Sequence, residues 1–312
     1  MILTHRPALD SLTGLSVGDA FGDQFFLLSN RGLSASVDLP AAPWEWSDDT
    51  EMACSVLDVL LRCGSIDQDA LARAFATRLD IGRRYGAGAL ELLERVRDGE
   101  RWQTASVEAF GGNGSYGNGA AMRVAPLGAY FAGDPERAAA EAVASAEVTH
   151  AHPEGVAGAV AVAVAASLAA AGSASEPDSG PAPGSGPPDA SSGFVAGDLI
   201  EAALDLVPAG QVRRGLDRAL GMRGHSVERA AHDLGNGSRI TAPDTVPFTL
   251  WVAARHGDDY EAAVRACVAV GGDVDTTAAI VGGIVAARVG AEGIPAAWRA
   301  AREPLPAWAP LG

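Results

Sequence analysis

Apolar residues recur at helical spacing along most of the chain, and alternating strand-like patterns are nearly absent. In residues 51–62, for example, Met52, Val56 and Leu60 fall on one face of a helix. Comparable patterns cover residues 68–79, 86–97, 136–147, 154–171, 197–206, 211–220, 258–269 and 276–289. The periodicity therefore predicts an all-α fold, a compact multi-helix bundle, with residues 1–312 forming one domain.

The composition narrows the kind of bundle and the kind of partner. Of the 312 residues, 48% are hydrophobic but only 6% are aromatic, so the core is expected to consist of closely packed alanine, valine and leucine. The formal net charge is -16. Such an acidic chain is not suited to non-specific binding of nucleic acid or anionic membranes, both of which need lysine and arginine surfaces. A specific anionic ligand stays possible where a cation or a helix N-terminus inverts the local charge.

The cysteines and the apolar segments indicate where in the cell the protein is expected to be. Cys54, Cys63 and Cys267 are an odd number without C-x-x-C spacing, and all three are expected to be buried free thiols. The N-terminus has no signal-peptide pattern. The alanine- and valine-rich run at 156–171 contains glycine and suits a buried helix better than a membrane span. We therefore expect a soluble, cytoplasmic monomer without membrane contact.

One segment, residues 172–193, differs from the rest of the chain. It is rich in proline, glycine and serine and has no large apolar side chain, so burial cannot offset the entropy cost of ordering it. We interpret it as a disordered loop inserted between two helices of one domain. A linker between two domains is the alternative, but candidate chemical motifs on both sides of the segment need each other.

The first motif is SDDT, residues 47–50, directly before the apolar helix at 51–62. One interpretation is an N-cap, because Ser and Asp accept hydrogen bonds from first-turn N–H groups and the helix dipole favours acidic residues there. The other is half of a metal site. The segment DDTE also resembles the DDxxD box of all-α prenyl-diphosphate enzymes, but Met52 occupies its last position and no second box follows.

The second motif, GGDVDTT, repeats this arrangement at residues 271–277. Capping explains one aspartate but not two flanked by a hydroxyl, and Ala278 and Ile284 stand where an EF-hand loop needs glycine and glutamate. If the two motifs converge, their four carboxylates would repel one another unless cations neutralise them. An all-oxygen set of Asp, Ser and Thr favours two Mg²⁺ ions, or Mn²⁺, over Zn²⁺.

The third motif, FGGNGSYGNGAAMRVAPLG at residues 110–128, is glycine-rich. It is either a turn-rich connection before a short helix or a loop whose backbone N–H groups surround a diphosphate, with Tyr116 and Phe110 offering flat faces to a base or ribose. It is neither a P-loop nor a Rossmann turn. Asp19 and Asp23 lie between glycines in residues 14–26, and THAHP at residues 149–153 supplies two histidines.

Five stretches, in order, resemble the ADP-ribosylglycohydrolase family: GLSVGDAFG, WSDDTEM, GSYGNGAAMRVAPLG, THAHPEG and GGDVDTTAAIVGG. They run from residue 14 to about residue 290. The resemblance implies an all-α bundle with two Mg²⁺ ions and a hydrolase that releases ADP-ribose from an ADP-ribosylated acceptor. The glycine-rich segment is most similar to the branch that removes ADP-ribose from serine and cleaves poly-ADP-ribose and O-acetyl-ADP-ribose.

Site residues follow from the same resemblance, position by position. The implied metal ligands are Ser47, Asp48, Asp49, Asp273, Asp275 and Thr276. The implied pocket for ADP-ribose is formed by Phe26, Phe110, Gly114, Ser115, Tyr116, Gly117, Asn118, Gly119 and His150. Asp49 and Asp275 are the candidates for the catalytic carboxylate.

Position 26 departs from the family pattern. Many members have a glutamate four residues after the second glycine of GDAxG, and in the serine-directed branch it orients the substrate, whereas this chain has Phe26. Asp23 or Glu45 would be the nearest substitutes in sequence. Two functions are thus expected, an active hydrolase or a binding module for ADP-ribose with impaired catalysis.

Overall fold

The computed structural model describes residues 5–35, 37–173 and 198–310. Within these ranges fifteen α-helices, α1 to α15, follow one another: Arg6–Asp23, Asp48–Cys63, Gln68–Arg78, Ala87–Arg97, Trp102–Gly112, Ala125–Tyr130, Pro135–Glu147, Pro153–Ser173, Asp198–Leu206, Gln211–Leu220, Val227–Leu234, Ala242–His256, Tyr260–Ala269, Val274–Val289 and Ala296–Ala301. β-Pairing in the described residues consists of two isolated bridges, Trp44 with Arg302 and Gly117 with Thr241. The predicted all-α fold is confirmed.

Two helices far apart in sequence, α1 and α14, form the centre of the bundle. Small residues let their backbones approach closely. A Cβ on Gly18 would lie 2.9 Å from the Ala278 carbonyl carbon, and a Cβ on Gly22 would lie 2.8 Å from the Asp275 Cα. Glycine removes both clashes. This packing places the C-terminal turns of α1 beside the N-terminus of α14, where the second acidic motif begins.

Helix α8 is long and apolar enough to cross a membrane, but 78% of its most apolar window is buried inside the protein. It packs on α6, α7, α9 and α14, and alanine and valine at its buried positions allow contact on all sides. The predicted buried helix at 154–171 is confirmed. It continues to Ser173, so the predicted inserted loop does not begin at 172, and its remaining residues lie outside the described ranges.

Each helix predicted from periodicity corresponds to an observed helix, with ends that differ by up to three residues. Helix α12 is not predicted because Pro243 and Pro247 lie within its first turns, and proline ordinarily argues against a helix interior. Cys54 and Cys267 are buried free thiols, as expected, but the prediction is wrong for Cys63, which is exposed. Cys63 is the last residue of α2, so the core no longer covers its side chain.

Candidate metal centre and adjoining glycine-rich loop

The N-terminus of α2 presents the first acidic motif. Ser47 is the N-cap, and its Oγ accepts a hydrogen bond from the Asp49 N–H at 3.3 Å. Asp48, Asp49 and Glu51 occupy the first turn, where the helix dipole stabilises negative charge. The capping interpretation of SDDT is therefore confirmed, and the same helix start also directs Asp49 into the protein interior, where it is almost fully buried.

Asp19 of α1 fixes this helix start from inside. Its carboxylate accepts four hydrogen bonds: from Ser47 N at 2.9 Å, Ser47 Oγ at 2.7 Å, Thr50 N at 3.1 Å and Thr50 Oγ1 at 2.5 Å. Asp19 is absent from the predicted ligand set. The signal that identifies it is the glycine spacing around it, because Gly18 and Gly22 bring this turn of α1 against α14.

The aspartates at the N-terminus of α14 are held by hydrogen bonds of a different kind. Asp273 occupies the N-cap position, but its side chain makes no capping hydrogen bond. Its Oδ2 instead accepts a hydrogen bond from Asn118 Nδ2 at 2.6 Å. Asp275 Oδ1 accepts from the Thr276 N–H at 2.7 Å. The glycine-rich loop that contains Asn118 therefore anchors the second acidic motif.

The two motifs converge. Thr276 Oγ1 donates to Asp49 Oδ2 at 3.4 Å, which joins the start of α14 to the start of α2. Oxygens of Asp19, Asp49 and Asp275 all lie within 4.8 Å of one another. The described part of the chain places no hydrogen-bond donor on the buried Asp49 Oδ1. Asp48 and Asp273 lie outside this trio but belong to the same acidic cluster.

The raised pKa values of these carboxyls indicate that the cluster lacks a positive charge. Burial raises the pKa of Asp48, Asp49 and Asp275 well above the usual range, and neighbouring carboxylates raise it further. Buried like charges of this kind are costly unless a cation is shared between them. A hard divalent cation bound by carboxylate and hydroxyl oxygens would offset that cost and supply the missing partner of Asp49 Oδ1. The residues present therefore fit a Mg²⁺ or Mn²⁺ site.

The glycine-rich loop lies beside this centre. Phe110 has a left-handed backbone with φ of 53°, and 62% of the residue's surface is exposed; Tyr116 is 44% exposed. Ser115 Oγ accepts a hydrogen bond from the Gly117 N–H at 3.2 Å. The Tyr116 carbonyl accepts from Ala242 N at 3.0 Å, which ties the loop to the start of α12. The glycine-rich loop thus exposes two aromatic side chains, and Asn118 links the same loop to the acidic cluster.

The His150 ring packs against the glycine-rich loop. It is buried, and its Nδ1 lies 2.7 Å from Thr149 Oγ1. A Cβ on Gly117 or on Gly119 would lie 3.3 Å from its Nε2, so glycine at both positions leaves the space at this ring edge open. A Cβ on Gly114 would lie 2.7 Å from the His152 amide nitrogen. The predicted pocket residues 114–119 and His150 are therefore neighbours in space.

Phe26 lies at the end of a short 3-10 helix that follows α1, and 49% of its surface is exposed. It offers no ligand atom. Asp23, one turn earlier, is buried, and its Oδ1 lies 2.8 Å from Arg84 Nη2. Burial raises the pKa of Asp23 to about 6 despite the opposing effect of Arg84. Of the two candidate substitutes, Asp23 is the buried one, whereas Glu45 is largely exposed.

Several known proteins are similar to this chain. ADP-ribosylhydrolase ARH3 of Xenopus tropicalis is 29% identical over 273 residues, covering 83% of this chain and 77% of that protein. Human ADP-ribosylhydrolase ARH3 is 28% identical over 278 residues, covering 81% and 73%. An ADP-ribosyl-[dinitrogen reductase] glycohydrolase of Rhodospirillum rubrum is 29% identical over 164 residues, 48% of this chain and 53% of that protein.

A solved structure described as an ADP-ribosylglycohydrolase-related protein complex has the same fold, with a TM-score of 0.61, 24% identity, and coverage of 97% of this chain and 94% of that one. The family profile described as ADP-ribosylglycohydrolase matches residues 3–309, nearly the whole sequence. With the acidic motifs converged at the starts of α2 and α14, this match shows that the chain belongs to the ADP-ribosylglycohydrolase family.

Proposed function

We propose that the protein is a Mg²⁺-dependent hydrolase that releases ADP-ribose from an ADP-ribosylated acceptor. The observation that carries the proposal is the convergence of the Asp19, Asp49 and Asp275 carboxylates, together with the buried Asp49 Oδ1, which has no hydrogen-bond donor in the described chain. The similar proteins are named as ADP-ribosyl hydrolases, which supports the substrate class. A cytoplasmic location and a monomeric state stay predictions.

Binding follows from the loop and its neighbours. The backbone N–H groups of Ser115, Tyr116 and Gly119, which donate to no described residue, would hold the diphosphate, because N–H groups in a glycine-rich turn form an anion-binding concavity. The exposed rings of Phe110 and Tyr116 would stack on the adenosine. His150 would lie under the bound diphosphate. The ribose on the side away from the adenosine would extend toward the acidic cluster, because Asn118 links the loop to Asp273.

Chemistry would occur at the acidic cluster. Ser47, Asp48, Asp49, Asp273, Asp275 and Thr276 would hold two Mg²⁺ ions, with Asp19 supporting the start of α2. When bound, Mg²⁺ would polarise ribose hydroxyls and stabilise negative charge near the bond that breaks. Asp49 or Asp275 would take the proton from the attacking water while positive charge develops on the ribose.

The test is incubation with ADP-ribosylated serine peptide, ADP-ribosylated arginine peptide and ADP-ribosylated nucleic acid, each with Mg²⁺ and with EDTA. We expect Mg²⁺-dependent release of ADP-ribose from at least one acceptor. Release from none would overturn the hydrolase proposal. Asp49→Asn and Asp275→Asn then separate the two carboxylate roles, because a metal ligand loses Mg²⁺ affinity, whereas a general base loses turnover with little change in affinity.

A binding module without turnover is the second candidate, and Phe26 is the observation that favours it. Phenylalanine cannot accept a proton and has no oxygen to coordinate Mg²⁺, and Asp23 is engaged with Arg84. Calorimetry that detects ADP-ribose binding in a protein without turnover would support this alternative. Activity gained in Phe26→Glu would support it further, whereas wild-type turnover would reject it.

A further inference from the structure

His150 is buried beneath the glycine-rich loop, and both edges of its ring face defined surroundings. Its backbone N–H donates to the Ala146 carbonyl at 2.8 Å, which fixes the residue just beyond the end of α7. Nδ1 lies 2.7 Å from Thr149 Oγ1. Nε2 faces the space that Gly117 and Gly119 leave open, and it makes no hydrogen bond to a described residue. Which ring nitrogen carries the proton decides what a ligand in that space meets.

Thr149 connects His150 to a fully buried arginine. Arg123 Nη2 donates to Thr149 Oγ1 at 2.9 Å and to the Ser145 carbonyl at 2.8 Å. The guanidinium also lies over the Phe75 ring, 4.6 Å from its centroid. Burial lowers the pKa of Arg123 to about 9, so the group stays protonated at neutral pH. Arginine is a donor only, so the direction of its bond to Thr149 is fixed.

The remaining hydrogen on Thr149 Oγ1 has one acceptor within reach among the described residues, His150 Nδ1. If Nδ1 carried the proton, Thr149 Oγ1 would accept from both neighbours, and its own hydroxyl hydrogen would be buried without an acceptor, which is costly. The favoured arrangement has the Thr149 hydroxyl donating to an unprotonated Nδ1. The ring is also neutral, because burial, with a further contribution from Arg123, lowers the pKa of His150 to about 3.

We propose that Arg123 and Thr149 are positioning residues that hold His150 as its Nε2–H tautomer, so that a fixed, neutral N–H donor points at a ligand oxygen between Gly117 and Gly119. The proposal rests on the proposed function only for the identity of that ligand, a phosphate or ribose oxygen of ADP-ribose. A neutral donor suits a buried position, because it binds an oxygen without adding a second positive charge beside Arg123.

The hydrogen bonds from Arg123 through Thr149 to His150 form a relay, and nitrogen NMR of the histidine rings tests this relay without substrate. The protein is labelled with ¹⁵N-histidine, and His150→Gln assigns the signal. We expect a protonated Nε2 and an unprotonated, hydrogen-bonded Nδ1 in the wild type. In Thr149→Val the Nδ1 signal should move toward the position of an unbonded ring nitrogen or toward the average of two tautomers. Thr149→Ser, which keeps the hydroxyl, should retain the wild-type spectrum.

A matched control is Thr249→Val, because Thr249 is also fully buried, but among the described residues its hydroxyl bonds only the Val246 carbonyl of its own helix. It should leave the His150 signals unchanged. A protonated Nδ1 in the wild type, a cationic ring at neutral pH, or an unchanged Nδ1 signal in Thr149→Val would each overturn the relay. The wild-type spectrum alone decides the tautomer, so the test does not depend on how well the valine variant folds.

Ligand binding tests the second half of the proposal. We expect Thr149→Val to weaken ADP-ribose binding and raise KM roughly five- to tenfold, with kcat nearly unchanged, and Thr149→Ser to restore both. Unchanged affinity despite the altered ring signals would show that Nε2–H does not face the ligand and overturn this half. If the wild type binds no ADP-ribose while its spectrum shows Nε2–H, the relay stands and the proposed function fails.

Discussion

The starts of α2 and α14 carry the same residue types, two aspartates and a hydroxyl, but the protein holds them by different devices. At α2, Ser47 caps the helix, and the buried Asp19 secures Ser47 and Thr50 from within the core. At α14, the Asp273 side chain does not cap its helix and is held by Asn118 from the glycine-rich loop. One half of the centre is thus built into the core, and the other depends on the glycine-rich loop, which also lines the proposed ligand pocket.

Because of this difference, substitutions at the two helix starts should affect stability and function to different degrees. Changes at α2 should affect both folding and the site, because the cap and the ligand set share residues. Changes around α14 should affect the site more than folding, because the hydrogen bond that holds Asp273 joins a loop to a partly buried carboxylate. Substitutions at the two helix starts test this division.

Asp49→Asn should have the largest effect. It removes the central carboxylate, and we expect kcat/KM to fall on the order of 10³-fold, because a bound metal contributes several kcal/mol to the transition state. The metal-free variant should unfold at a higher temperature than the metal-free wild type, since it lacks a buried carboxyl whose raised pKa disfavours folding at neutral pH. Activity assays and thermal melts with Mg²⁺ or EDTA measure both effects.

Asp58→Asn is the matched control for Asp49→Asn. Asp58 lies on the same helix, but it pairs with Arg62 and Arg78 away from the cluster. We expect a modest loss of stability and unchanged activity. A variant at Asp49 that kept near-wild-type activity and its full Mg²⁺-induced rise in melting temperature would remove Asp49 from the centre.

Asn118→Ala should weaken Mg²⁺ binding roughly 10- to 100-fold, the range typical of residues that orient a metal ligand. The reason is the loss of the hydrogen bond to Asp273 Oδ2. The same amide also donates to Thr245 Oγ1 at 3.1 Å, so Thr245→Val tests that second bond alone. Calorimetric titration with Mg²⁺ is the measurement. Equal losses in both variants would argue that loop position, and not the bond to Asp273, controls affinity.

The pH dependence should show the charge cost of the cluster directly. Burial raises the carboxyl pKa values in the metal-free protein, so the folded state binds more protons than the unfolded state between about pH 4 and the raised pKa values. The metal-free protein should therefore lose stability as pH rises through that window. Mg²⁺ must displace the same protons, so its affinity should increase with pH, up to about tenfold per pH unit for each proton displaced.

Thermal melts and Mg²⁺ titrations between about pH 5 and about pH 8 check both slopes. In Asp49→Asn both should be shallower, because one titrating carboxyl is absent. A Mg²⁺ affinity independent of pH over this range would show that the carboxyls are already ionised without metal.

Much of this could be predicted from the sequence because it depends on local patterns. Helical spacing predicts most of the helices, and paired acids at two helix starts predict their convergence. Asp19 was not predicted as part of the centre, because the sequence shows the glycines around it but not that they pack this turn of α1 against α14. Arg123 was missed for a similar reason, because a fully buried arginine looks like any surface arginine in a sequence.

Phe26 shows the opposite case, where the sequence identifies the departure but not its consequence. A substitution at a family position is visible at once, whereas the Asp23–Arg84 pair beside it depends on the left-handed turn at Arg84 that brings its guanidinium to α1. The SDDT motif lies between these cases, because the sequence suggests both of its roles but does not decide between them. Its two interpretations, cap and metal site, are both compatible with the structure, because one helix start serves as each.

Ser47→Ala separates these two roles and should have the smallest effect on stability, about 1 kcal/mol as for other N-caps. Asp67→Ala is the matched comparison, because Asp67 caps α3 through Ala70 N at 2.9 Å, outside the acidic cluster. Both variants should lower the melting temperature of the metal-free protein by similar amounts. Only Ser47→Ala should also reduce the Mg²⁺-induced rise, since Ser47 Oγ contacts Asp19 and Asp49. An equal Mg²⁺ response in the two variants would leave Ser47 a helix cap alone, with the metal held by carboxylates and Thr276.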